Sequence, residues 1–274
     1  MWAFNSLVGN LLSLLFFPFR SQNPWLTMVF VSFLTGLLML FIFRLTSNQP
    51  GIRQVKDKIK AHLLEVRLFK DSLPVTLKAQ GQILKHNLKY IGYSAKPMLI
   101  MLIPLLVVLA QLNLWFGYQT LRVGETAIVK VSFRDSVDPV GTEITLEASP
   151  GLAVETPPLR LEQPREVDWR VRAKAEGVEE LTIRLAGQSF TKIVVVGGQR
   201  LARICPLKSS RFLNNLLYPG EKPISSRVPV TAVEVVYPAK RLNLFGLGLH
   251  WLIPYLVLSI LAGFVLKRPF RVEI

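Results

Sequence analysis

The chain has 274 residues, half of them hydrophobic, with a mean hydropathy of +0.37. That is too apolar for an ordinary soluble protein of this length. Its net charge of +15 fits a membrane surface better than a nucleic acid, because lysine and arginine flanking apolar spans sit against the negative cytoplasmic leaflet. No DNA partner is expected. The single cysteine, Cys205, excludes an internal disulfide and any cysteine-cluster metal site, and is read as a small buried apolar residue.

In chain order, Trp2 to Phe17 is apolar but interrupted at nearly helical intervals by Asn5, Ser6, Asn10 and Ser13. It lacks the basic start and cleavage site of a signal peptide. Residues 1–24 are therefore predicted as an amphipathic helix in the outer membrane interface. Met28 to Leu45 is broken only by Ser32, Thr35, Gly36 and Arg44, and predicts the first span over 25–45. Residues 46–96 carry two helical stripes, Ile52, Val55, Ile59, Leu63 and Val66, then Leu77, Leu84, Leu88 and Ile91. Asp71-Ser72-Leu73-Pro74 between them supplies a cap and a first-turn proline. The expectation is an antiparallel hairpin with its apolar stripes apposed, favoured over two helices lying flat on anionic lipid.

Pro97 to Tyr118 and Leu244 to Leu266 contain no charged residue. Each is near the ~20 residues that cross a bilayer as a helix, giving the second span over 97–118 and the third over 244–266. Between them the period changes from 3.6 to 2. Strands are predicted at 127–133, 143–147, 167–171, 181–185 and 191–196, separated by turns such as Ser149-Pro150-Gly151, Thr156-Pro157-Pro158 and Ala186-Gly187. Regular short strands suggest an immunoglobulin-like β-sandwich over 119–198, ending at the Gly197-Gly198 turn. The proline-bearing stretch 199–243 is read as irregular, and 267–274 as a tail. The fold class is thus an α+β membrane protein: three transmembrane helices, a cytoplasmic helical hairpin and an extracytoplasmic sandwich.

Eleven basic residues lie from Arg44 to Lys96, against only Asp57, Glu65 and Asp71. A short loop of this kind stays cytoplasmic. Three spans then put the N-terminus outside and the C-terminus inside, where Lys267, Arg268 and Arg271 follow the last span.

No catalytic, metal or nucleotide motif is present, so no enzyme, cofactor or metal is expected. His62 and His86 are read as solvated hairpin positions. The informative residues are polar groups in apolar runs: Arg44, Gln111, Asn113, His250 and Ser259 as a candidate substrate groove. Ser32 and Thr35 are read as bonding their own helix. Gln111 and Asn113 stand open between groove and helix-to-helix glue, and Arg44 between groove and interfacial anchor.

Phe41-Ile42-Phe43-Arg44 closes span one, Lys96-Pro97-Met98-Leu99-Ile100-Met101-Leu102-Ile103-Pro104 opens span two, and Leu112-Asn113-Leu114-Trp115-Phe116 closes it. With the order of parts, these segments resemble the YidC-like superfamily of membrane-protein insertases, above all its minimal three-span members. The likeness covers about residues 1–118 and 244–266. It implies an insertase or chaperone in the bacterial cytoplasmic (inner) membrane. Its partners would be the lipid bilayer, nascent or unassembled membrane proteins, and the ribosome through the basic hairpin. The β-domain, placed between spans two and three, departs from the bacterial members. The other reading is a non-catalytic scaffold or accessory subunit that docks a partner subunit through that domain.

Overall fold

The computed structural model describes residues 2–135, 137–185, 187–198, 200–225, 227–244, 246–270 and 272–273. Ala186, Gln199 and Arg271, singled out above, lie outside the described residues. The protein is α+β, with a helical region and antiparallel sheets, and two of its helices are long and apolar enough to cross a membrane. The chain divides into two compact units, residues 29–106 with 255–274 and residues 1–28 with 107–254.

The first unit is helical. Helix α2 (Pro24–Thr46) is apolar almost throughout. Thr35 donates to the Val31 carbonyl of its own helix, which removes the cost of a hydroxyl in an apolar run. At Gly36 the helix closes on α6 (Leu252–Leu266): a Cβ there would lie 2.8 Å from the Ser259 carbonyl and 2.9 Å from Ala262 Cβ. Helix α3 (Gln49–Leu68) starts where Asn48 accepts a hydrogen bond from the Gly51 amide, and it buries Ile52 and Val55. Ile52 packs with Leu40, Phe43 and Val272, and Tyr90 and Tyr93 lean on that cluster.

Helix α4 (Leu73–Phe116) is a single helix of 44 residues. The sequence divides hairpin from span at 96, and the helix runs on across that boundary through Pro97 and Pro104. Each proline deletes one donor and unpairs one carbonyl, but breaking the helix there would unpair several more backbone groups, so the helix persists. The apposed-stripe expectation is also corrected. Leu77, Leu84, Leu88 and Ile91 are exposed, whereas Ala79, His86, Tyr90, Tyr93 and Pro97 are buried or half-buried. Those two sets lie on opposite faces of the helix. The inward one is small, aromatic and polar, and there His62 and His86 stack with ring centroids 5.6 Å apart, not as two separate solvated positions.

The second unit holds the β-structure and α1 (Trp2–Phe16), which leads into a 3-10 turn at Phe17–Phe19. One sheet runs β3 (Leu152–Val154), β5 (Glu166–Ala173), β1 (Thr126–Phe133), β9 (Val230–Val235) and β8 (Leu207–Ser209), with β4 (Leu159–Leu161) also on β5. The other is β2 (Ile144–Ala148), β6 (Gly177–Leu185) and β7 (Gln188–Val196). All pairings between these strands are antiparallel. Alternate residues of both sheets, among them Val129, Val131, Trp169, Ile183 and Val194, share one core. Strands β8 and β9 come from the stretch read as irregular, and β9 pairs directly with β1. Val230, Val233 and Val235 are fully buried there; their spacing is too short and too flanked by proline to stand out in sequence.

Over 244–266, where the sequence predicts one span, the chain forms a hairpin and then a shorter helix. Strand β10 (Arg241–Leu244) pairs with β11 (Leu247–His250), Gly246 at φ +85° serves the turn, and α6 has 15 residues. Apolarity alone did not distinguish a hairpin arm from a helical turn.

Candidate functional site

Helix α4 carries the most extended candidate site. Leu73, Leu77, Leu84, Leu88, Ile91, Met98, Leu99, Leu102 and Leu106 are all exposed, with Leu84 and Leu88 each at 64%. At 100° per residue they fall on one face about 100° wide. This track is ~50 Å long at 1.5 Å per residue. Lys78, Lys85, Lys89 and Lys96 follow one another along a single flank of it. The arrangement offers a hydrophobic ridge beside a row of cations. It suits an apolar helix with acidic or phosphate-bearing neighbours. Burial and the nearby Lys58, His62, Lys85 and Lys89 together hold His86 below the ordinary histidine range, so the inner face of the hairpin resists further charge.

The same unit has a basic cleft of about 840 Å³ where α3 begins and α6 ends. Arg53, Lys56, Lys267 and Arg268 line it with Asp57 and Glu273, and Lys56 pairs with Glu273 at 3.5 Å.

The polar residues predicted for a groove have separate fates. Arg44 is exposed in the last turn of α2. Ser259 donates to the Leu256 carbonyl of its own helix at 3.1 Å. Both belong to the helical unit, whereas Gln111, Asn113 and His250 belong to the β-containing one. Gln111 is fully buried: its amide donates to the Asn5 carbonyl at 3.0 Å and its oxygen accepts from Arg203 at 3.3 Å. It therefore ties α1 and a later loop to α4, as a structural cross-link. Asn113 packs over Gly117 just past the helix end, where its backbone carbonyl accepts from the Gly117 amide at 2.9 Å. His250 is exposed on β11, and its Nδ1 accepts from the Leu252 amide, capping α6.

Sequence reasoning missed Arg203, Arg20 and Trp115, which line one cleft, and missed the outward direction of the α4 leucines. Period gives the spacing of a stripe but not what the stripe faces. No family model, curated protein or solved structure matches the chain.

Proposed function

We propose that this protein is a YidC-like membrane-protein insertase or chaperone. The observation that carries this reading is the unbroken α4: one helix bears an exposed apolar track from Leu73, through the basic hairpin, to Leu106 in its membrane-compatible half. A client's apolar segment would shelter on the track while the flanking lysines hold its acidic residues or the headgroups beside it. Moving along the track towards the bilayer then replaces contact with α4 by contact with lipid, at little change in buried apolar area.

The proposal includes the topology: Arg44 to Lys96 and the C-terminus in the cytoplasm, the immunoglobulin-like β-unit outside, and α6 as a third span. Fifteen residues reach ~22 Å against a core of ~30 Å, so the bilayer would thin around α6 or its flanking Lys267 and Trp251 would snorkel. In this setting Arg44 acts as an interfacial anchor at the cytoplasmic end of α2.

The test is site-specific photocrosslinking from positions 84 and 88, compared with 79 on the buried face. Short-lived adducts to many nascent membrane proteins at 84 and 88, absent at 79, support the reading. A single stoichiometric partner, recovered only when the β-unit is present, would make the chain an accessory subunit and overturn it.

A further inference from the structure

The β-containing unit has a second cleft, of about 420 Å³, whose lining is unlike that of the α4 track. It lies where the 3-10 turn gives way to Arg20, at Trp115 in the last turn of α4, and where β7 runs into Gly197 and Gly198. The loop from Leu201 to Arg203 closes it. Two guanidinium groups reach this small space. Arg20 stacks over Trp115 and over Phe17, 5.7 Å from each ring. Arg203 gives Nη2 to Gln111 and to the Pro219 carbonyl at 3.2 Å. A Cβ on Gly9 would lie 2.5 Å from that same Nη2, so the guanidinium occupies the space that the missing side chain leaves at this turn of α1.

Neither arginine has a carboxylate partner among the described residues, and the Nε atoms of both, with Trp115 Nε1, are buried without a hydrogen-bond acceptor. Glu176, which packs on Gly197, is in no ion pair with them. Burial pushes the Arg203 guanidinium below its ordinary range. Three donor groups without acceptors around one cleft are an arrangement that proteins keep for a bound anion or a functional reason.

The other walls are apolar: Trp115, Val178, Val196 and Leu201. Phe4, Leu7, Leu11, Leu14 and Phe17 form an exposed apolar face along α1 and its 3-10 turn, leading up to Arg20. The inward face of α1 carries Asn5, Gly9, Leu12 and Phe16. A free oxyanion would leave that outward face in water, whereas an amphiphile with an anionic head covers both surfaces. We infer that this cleft binds the phosphate of an anionic phospholipid headgroup, with the acyl chains lying against Leu14 and Phe17. The inference requires the chain to lie in a membrane but not to bind clients.

The deciding experiment counts phosphatidylglycerol retained by the full chain on transfer from mixed lipid nanodiscs into detergent, read by native mass spectrometry. Arg20→Gln should weaken retention about tenfold, as expected for one lost charge-assisted contact. Arg203→Gln should weaken it at least as much. Because Arg203 also holds Gln111, the Arg20 variant decides: it removes a side chain that makes no hydrogen bond among the described residues. Unchanged retention in Arg20→Gln, with wild-type protease resistance, overturns the site. Inorganic phosphate raising the melting temperature as much as phosphatidylglycerol overturns the lipid assignment. Adducts at positions 84 and 88 are a separate readout, so the site and the insertase reading fail independently.

Discussion

Removing the Glu221 carboxylate should destabilise the β-containing unit more than any surface change of equal size. Lys192 sits on β7 at a core-facing position between Thr191 and Ile193 and is fully buried; Glu221 is 5% exposed in its side chain. The ammonium pairs with Glu221 Oε1 and also donates to the Cys205 carbonyl at 2.6 Å and the Ile193 carbonyl at 3.1 Å. Glu221 Oε2 accepts from the Ile193 amide at 3.3 Å and lies 3.9 Å from Lys208. Glu221→Ala leaves Lys192 charged and dry, a change that costs ~3–5 kcal/mol. Lys192→Met should cost less, about 2 kcal/mol, because Lys208 still faces the carboxylate. Replacing both by apolar residues should recover most of the loss, to within about 1–2 kcal/mol of the parent, since the desolvation of both charges disappears together. Hydrogen exchange at the β7 amides, measured on the full chain in micelles, reads the opening free energy of this strand directly. A Glu221→Ala cost below about 1 kcal/mol, or a double variant as weak as the sum of the singles, would mean that water reaches Lys192 and that the pair is not buried.

Three further outcomes follow from single contacts. Tyr237→Phe should cost ~1–3 kcal/mol in the same exchange measurement, because the hydroxyl of this buried side chain accepts from the half-buried Val195 amide at 3.0 Å. Burial lowers the Lys240 ammonium from the usual 10.5 to about 8. The unfolded chain then holds more protons between those values, so stability should rise as pH climbs from about 8 towards 10.5. Lys240→Met should flatten that rise in a pH series of thermal melts. Ile52→Asp should cost more than ~3 kcal/mol and expose the hairpin to protease, whereas Leu84→Asp should leave protease resistance unchanged, since one side chain is fully buried and the other open.

Local pattern carried the parts of this protein that depend on neighbours in sequence. The apolar runs at Met28 to Leu45 and from Pro97 to Phe116 became helical because apolar residues recur around the whole helix, and in the second run the ladder outlasts the donors lost at Pro97 and Pro104. The alternation at 127–133 and 167–171 became paired strands because one face of each is wholly apolar. Direction and partnership were settled elsewhere. The leucines of the hairpin are spaced as a core stripe would be, yet a histidine stack and two tyrosines occupy the inside, and the leucines face out. Lys192 alternates with Val194 and Val196 on the buried face of an edge strand, a place pattern reserves for an apolar residue. It is tolerated only because Glu221, 29 residues later, returns to meet it. Gln111, Arg20 and Arg203 gained their settings in the same way, from contacts such as that of Gln111 with Asn5, 106 residues away. Periodicity records how often a side chain recurs on a face; which face is covered, and by what, is decided by chain segments far away in sequence, and only the folded structure brings them together.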